Sequence, residues 1–367
     1  MKIAQITHNY LPHIGGIEQY VFRLSETIEG YGWHSVILTT DQATPRENRQ
    51  KNAVYFPVLV SCMRNPLSLQ YAKAMRRHSY DIMHLHSMWF LPSLFAAIFK
   101  GNAKIVTTVH GVFPDSSSLA QRFGLYVYRP FAGFVLKRSD QIVVLSDSEK
   151  EKLLRLFNVP AAKVRVISNG ICLEDSCIED KQTTVLFTGR INADKNPEML
   201  IQAAAILHQK IPELKICFAG PVNKDYLKQL VKLSESFGIE KIVSFVGPFN
   251  QTIPDERKQL MDLYRQAACF VALGSWEGLP TRLLEAMQFA TPCVTFASGG
   301  SSQLIIDNEN GLVIERLDAG LLADALQKLF CDRQLAARLG KNARKTVVND
   351  YNWAKIGSQL IELYKAL

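Results

Sequence analysis

The sequence predicts an α/β protein of two domains, each a doubly wound parallel sheet. Three observations predict it. Short apolar runs alternate with helix-period segments along the chain, which is how parallel βαβ units read. The alternation breaks at residues 168–181, SNGICLEDSCIEDK, a polar and acidic stretch without a regular period. A chain of 367 residues also exceeds what one hydrophobic core normally holds.

In the first half the strand candidates are KIAQIT, HSVILTT, AVYFPVLV, DIMHLH, KIVTTVH and QIVVLS, with helices over residues 18–30 and 68–78. The second half repeats the layout without repeating residues, as TTVLFTG, LKICFAG, IVSFVG, CFVALG and PCVTFA, with a helix over 197–208. The expected domains are residues 1–168 and 169–349. The remaining residues, 350–367, contain an amphipathic helix expected to pack back on the first domain. Ligands of such sheets bind beyond the carboxyl ends of the strands, so two facing domains would form a cleft.

Charge and cysteine content narrow the function classes. The net charge is +8, but no Lys/Arg block exceeds two residues, so nucleic acid is not an expected partner. The seven cysteines are odd in number, form no CxxC pair and mostly sit in apolar runs such as KICFAG, which fits a reducing, cytoplasmic compartment. MKIAQITHNY begins a strand directly and does not read as a signal peptide, and no window approaches 18 apolar residues. Membrane contact would therefore be made from the surface, at the inner face of the cell membrane.

Four loops carry candidate chemistry. Gly15 and Gly16 follow the first strand and open a helix, where backbone N–H groups favour an anion. A plain glycine turn reads the same way, and the pattern is no GxGxxG fingerprint. His110 ends the fifth strand candidate before Gly111, a position that faces ligand or serves structure. His84 and His86 alternate on a strand; without a nearby third ligand, a structural role is favoured over a metal pair.

In the second half, Gly189 and Arg190 end a strand and Lys195 precedes Pro197, the expected first residue of a helix. An arginine fork and a lysine point charge on one loop can converge on a diphosphate. The stretch SWEGLPTRLLEAM places Glu277 in a bend and Glu285 inside a helix, with Pro280 as its expected first residue. The backbone from Gly278 through Leu279 and Pro280 to Thr281 would offer a helix N-terminus to an anion. Carboxylates beside such a site make sense as acceptors from sugar hydroxyls.

Together these residues resemble the retaining glycosyltransferases of the GT-B fold, group 1 or family 4, over nearly the whole chain. The resemblance rests on GGIEQYV, DIMHLH, TVHG, IVVLS, VISNGI, GRINADKNPEMLIQA, FAGP, the E-x7-E stretch, GGSSQLI and NGLVI. It implies two Rossmann-like domains, the first binding acceptor and the second a nucleotide sugar, either a UDP- or a GDP-sugar. It implies that Arg190 and Lys195 neutralise the donor diphosphate, Glu277 holds sugar hydroxyls and Glu285 accepts from the ribose. Gly16 would offer its backbone amide, and His110 would face the donor sugar. Departures are Asn196 and Ala290 where glycine is usual, Leu279–Pro280 after the EG pair, and Gln303 for a frequent Glu.

The implied reaction is hexosyl transfer with retention, by same-face attack rather than through a covalent carboxylate. With no DxD motif, neither metal nor cofactor is expected. The acceptor expected from the resemblance is a lipid-linked molecule or saccharide, in cell-envelope glycolipid or polysaccharide synthesis. Residues 119–140 mix basic and aromatic residues and read either as a core helix with a solvated edge or as a surface for peripheral membrane contact. A GT-B-like sugar-nucleotide epimerase and a non-catalytic nucleotide-sugar-binding subunit are the alternatives.

Overall fold

The computed structural model describes the chain except residues 13–14, 42–48, 63–64, 77–78, 113–118, 175–181, 252 and 275–277, and the side chains of 62 and 119–122. It resolves into two compact units, Met1–Asn169 with Ala354–Leu367, and Gly170–Trp353. Much of the polar stretch 168–181 lies outside the described residues.

The first unit runs β1 (Lys2–Ile6), α1 (Gly16–Gly30), β2 (His34–Asp41), β3 (Ala53–Pro57), β4 (Val60–Cys62), β5 (Asn65–Leu67), α2 (Leu69–Met75), β6 (Ile82–His86), α3 (Leu91–Ile98), β7 (Lys104–Val109), α4 (Leu119–Arg138), β8 (Gln141–Val144), α5 (Asp147–Leu156) and β9 (Val164–Val166). Seven strands form one sheet in the order β3-β2-β1-β6-β7-β8-β9. Every pairing in it is parallel, with Ile3 opposite Ile82 and Met83 opposite Ile105. All five residues of β6 are buried, as expected for a central strand covered on both faces.

The expected single strand AVYFPVLV divides. β3 stops at Pro57 and Val60 starts a separate antiparallel hairpin with β5. Proline donates no ladder hydrogen bond, and β3 tolerates it because it is an edge strand. The helix expected over 68–78 is α2, which ends at Met75 with Arg76 as its C-cap; residues 77–78 lie outside the described residues. Ser68 caps it by accepting from the Tyr71 amide at 3.2 Å.

The second unit runs β10 (Thr184–Thr188), α6 (Pro197–His208), β11 (Lys215–Ala219), α7 (Lys224–Ser236), β12 (Val243–Val246), α8 (Pro254–Gln266), β13 (Cys269–Ala272), α9 (Thr281–Gln288), β14 (Cys293–Phe296), α10 (Ser301–Leu304), β15 (Leu312–Ile314), α11 (Ala319–Cys331) and α12 (Arg333–Asp350). Its six-stranded sheet has the order β12-β11-β10-β13-β14-β15. All its pairings are parallel as well. Apolar residues of these strands and of α6 and α11 close into one core around Phe187, Phe218 and Leu326.

The last helix, α13 (Trp353–Lys365), lies almost wholly in the first unit. Tyr364 is fully buried there, and its hydroxyl meets His84 Nδ1 on β6. A Cβ on Gly357 would come within 2.8 Å of Thr27 Cγ2, so this glycine lets α13 close on α1. Among the described residues no helix is long and apolar enough to cross a membrane.

Candidate active site

The loop from β10 to α6 begins with Gly189 at φ +101, a left-handed backbone open to glycine. A Cβ there would meet Arg282 Nη1 at 2.4 Å, so Arg282 lies directly against the loop. Gly220, after β11, stands equally close, its absent Cβ 2.1 Å from the Gly189 carbonyl oxygen. The glycines thus let two strand ends and one arginine share a space that a single methyl group would fill. Arg190 follows and is exposed, whereas Lys195, at the end of the same loop, is only 8% exposed. Asn196 then takes φ +50 ahead of Pro197, and its Nδ2 donates to the Leu273 carbonyl at 2.7 Å.

Helix α9 lies alongside. Glu277, with Ser275 and Trp276, lies outside the described residues. The backbone at Gly278 is pressed onto the next loop, since a Cβ on Gly300 would sit 1.9 Å from the Gly278 oxygen. Leu279 is buried, and Pro280 is the N-cap rather than the first helical residue. Its extended ψ of 101 keeps it outside the helix, and Thr281 takes that first place. Among the described residues no side chain caps α9, and its first turn holds no acidic residue. Its first amides therefore face no carboxylate of their own helix.

Glu285 sits further along α9 and is half-buried. Its Oε2 accepts from the Tyr264 hydroxyl at 2.7 Å, and that hydroxyl accepts in turn from Thr188 Oγ1 at 2.6 Å. Burial raises the Glu285 carboxyl above its ordinary value, opposed by Tyr264, Arg257 and Arg282. Arg282 Nη1 donates to the Thr188 carbonyl at 2.9 Å. Burial lowers its guanidinium to about 10, against the pull of Tyr264 and Glu285. It stays charged at neutral pH. Thr188, Tyr264, Arg282 and Glu285 therefore tie the end of β10 to α9 beneath Gly189 and Arg190.

In the first unit Gly15 is the N-cap of α1 and Gly16 its first residue, with open space where a Gly16 Cβ would stand. Gly15 has no such room, because the Glu18 carboxylate lies 2.3 Å from its absent Cβ. Glu18 is the third helical residue, from which a glutamate reaches back toward the helix start. Burial raises its carboxyl to about 7.

His110 follows β7 and is held from behind. Its Nε2 lies 3.4 Å from His86 Nδ1, and His86 Nε2 lies 2.7 Å from Gln5 Oε1. Gln5 Nε2 is directed to Ser35 Oγ at 3.4 Å. The amide oxygen of Gln5 accepts, so His86 Nε2 carries the proton and His86 Nδ1 accepts from His110 Nε2–H. That leaves His110 Nδ1 as an acceptor. Burial and the neighbouring His8 lower His110 to about 3, so its ring is neutral at physiological pH. Gly111, at φ +102, donates its amide to Glu149, which also accepts from the Leu145 amide at 3.0 Å. His84 bonds Thr108 Oγ1 at 2.6 Å and serves the sheet. Among the described residues no group of three His, Cys, Asp or Glu side chains is placed to hold a metal ion.

The structure brings Gly189, Arg190, Lys195 and Glu285 to one end of the second sheet, and Gly15, Gly16 and His110 to strand ends of the first. Sequence reasoning missed Arg282, Tyr264, Glu18 and Gln5. Arg282 stands three residues before Glu285 on one helix, and Glu18 three after the glycine cap; both spacings were readable. Tyr264 and Gln5 give no local signal.

Comparisons with known proteins agree with this architecture. Residues 173–346 match the family model of glycosyl transferases group 1, and residues 14–175 that of glycosyltransferase family 4. An uncharacterized glycosyltransferase of Methanocaldococcus jannaschii is 27% identical, over all of this chain and 98% of its own. The UDP-Gal:alpha-D-GlcNAc-diphosphoundecaprenol alpha-1,3-galactosyltransferase of Escherichia coli is 25% identical, over 99% of this chain and 96% of its own. Sucrose-phosphate synthase from Thermosynechococcus elongatus superposes with a TM-score of 0.81 at 22% identity, covering 100% of this chain and 98% of its own. Anabaena HepE in complex with UDP-glucose superposes at 0.80 and 19% identity, with both chains fully covered. Both solved structures share the fold, two Rossmann-like α/β units of the GT-B type.

Proposed function

This chain belongs to the glycosyl transferases of group 1 and family 4, and on that premise we propose that it moves a hexose from a nucleoside-diphosphate sugar to an acceptor hydroxyl with retention of configuration. The observation that carries the proposal is the junction beneath Gly189. There the Arg190–Lys195 loop, the start of α9 and the Glu285 carboxylate are joined through Arg282, Tyr264 and Thr188. Glu285 accepts from the ribose hydroxyls, the N-terminus of α9 and the two loop cations meet the diphosphate, and Glu277 holds the sugar. The second unit thus takes the donor and the first the acceptor.

In the transfer the bond from the anomeric carbon to the leaving phosphate oxygen breaks, and its electron pair stays on that oxygen. The acceptor oxygen attacks from the same face, and its proton passes to the departing phosphate. Negative charge grows on the leaving group, so Arg190, Lys195 and the α9 N-terminus act where charge develops. These groups replace a divalent metal in the proposed mechanism. Neutral His110 offers the sugar an uncharged hydrogen-bonding group, and the amide of Gly16 serves the phosphate or the acceptor.

The galactosyltransferase relative named for UDP-Gal, and the neighbour holding UDP-glucose, support a UDP-hexose donor over a GDP-sugar. The diphosphoundecaprenol substrate in that relative's name supports a lipid-linked acceptor in envelope synthesis, met at the inner face of the cell membrane. The epimerase and binding-subunit readings are not favoured. A thermal-shift panel of UDP-, GDP- and ADP-sugars tests the donor. UDP-hexoses should raise Tm most, with Glu277→Ala abolishing transfer; no shift with any of them would overturn the reading.

A further inference from the structure

We propose that the outward face of α4 docks on an anionic lipid bilayer, an inference resting on the reading of the acceptor as lipid-linked. The helix has one buried face, where Ala132, Val135 and Leu136 enter the core of the first unit at 0% exposure. Its other face is aromatic and open. Phe123 is 69% exposed, Tyr126 71%, Val127 53%, Phe131 48% and Phe134 41%. The steps of three, four, eight and eleven residues from Phe123 place these side chains on one stripe. Three of the four highly exposed phenylalanines among the described residues lie on this single helix. Solitary exposed apolar residues need no explanation, but a contiguous aromatic stripe does.

Charge identifies the partner. The twenty residues of α4 contain no Asp or Glu, but four cations, Arg122, Arg129, Lys137 and Arg138. Arg129 is turned inward, donating to the Leu156 carbonyl at 2.5 Å. Lys137 and Arg138 are exposed at the end of the helix, although Arg138 Nε donates to the Ala97 carbonyl at 3.3 Å. A second copy of this chain would fit poorly, because a two-fold contact sets the same cationic face against itself. An anionic headgroup layer answers both features: rings enter the interface while Lys137 and Arg138 meet phosphates. The helix would lie in the plane of the interface, consistent with its having one buried face.

Co-sedimentation of the full chain with vesicles tests this. Wild type should bind phosphatidylglycerol-containing vesicles at low salt, weaken as salt rises, and bind phosphatidylcholine vesicles less. The triple variant Phe123→Ser/Tyr126→Ser/Phe131→Ser should lose more than about tenfold in binding. Its Tm and its Tm shift with a UDP-hexose should match wild type. If that variant does not fold, Lys137→Glu/Arg138→Glu should show a comparable loss on anionic vesicles alone. Wild type that ignores anionic vesicles, variants that bind as well as wild type, or a wild-type dimer that the triple variant dissociates would each overturn the proposal. Because the nucleotide-sugar shift is read separately, loss of vesicle binding and failure of the transferase reading are distinguishable.

Discussion

Arg282 lies where a side chain on Gly189 would be, its Nη1 2.4 Å from that absent Cβ and bonded to the Thr188 carbonyl at 2.9 Å. The arginine at the start of one helix thereby shapes the loop that leaves the neighbouring strand.

Gly189→Ala should therefore act twice. It forces an alanine into φ +101 and drives a methyl group into the guanidinium. A loss of about 2–4 kcal/mol in stability is expected, measured by urea unfolding. A UDP-hexose should no longer raise Tm. An alanine variant as stable as wild type would contradict the packing described.

The two residues that stand in place of a family glycine both take left-handed backbone, Asn196 at φ +50 and Ala290 at φ +53. Their substitutions should differ. Ala290→Gly relieves a strained alanine and should stabilise by about 0.5–1 kcal/mol. Asn196→Gly loses the 2.7 Å bond to the Leu273 carbonyl and should cost about 1 kcal/mol. Chemical denaturation of both variants, side by side, decides.

Stability should fall steeply in acid. His84 and His110 are lowered from 6.5 to about 3 by burial, and burial also holds His86 well below its ordinary value. Below pH 6.5 the unfolded chain takes these protons and the fold does not. Each histidine then costs about 1.4 kcal/mol per pH unit until its folded value is reached. Glu18 and Glu149, raised from 4.5 to about 7, act in the opposite sense, so their stability is present below 4.5 and lost as pH rises through 7. With three histidines against two carboxyls the effects offset only in part between about pH 6.5 and 4.5, and below that the histidines act unopposed, with Asp140, whose carboxyl is held below its ordinary value, adding to the loss. Tm should thus drop fastest between pH 4.5 and 3, and His84→Gln should flatten that limb.

Tyr264→Phe removes the hydroxyl that joins Thr188 to Glu285. Leaving that carboxylate short of a buried partner should cost about 1–3 kcal/mol. If Glu285 receives the ribose, the Tm shift given by a UDP-hexose should shrink in the same variant. An unchanged shift would detach Glu285 from donor binding.

If Arg190, Lys195 and the α9 amides replace a metal, EDTA should leave hexosyl transfer unchanged and added Mg²⁺ or Mn²⁺ should not raise it. Transfer that stops in EDTA and returns with one cation would refute that part of the mechanism.

The parallel sheets were legible because their central strands, such as β1, β6 and β13, are buried on both faces and read as apolar runs. Gly189 and Pro197 were legible too, since punctuation by glycine and proline is local. Pro280 was misplaced by one residue because Pro suits the N-cap as well as the first turn. The strand β15 (Leu312–Ile314) and the β4–β5 hairpin escaped, having only three residues each to show a period. Tyr264 and Gln5 escaped for a different reason. Each acts through a partner far along the chain, 76 and 81 residues away in the Thr188 and His86 bonds, and no short window holds both ends.

The burial of Tyr364 against β6 has a consequence for biosynthesis. The first unit takes its final helix from residues 354–367, which leave the ribosome only after the whole of the second unit. During translation the early residues must wait, with the pocket for that tyrosine unfilled and His84 without its hydroxyl partner. The second unit, continuous in sequence, has no such delay. Nascent chains stalled before residue 354 should therefore protect the later-made unit from protease sooner than the earlier one.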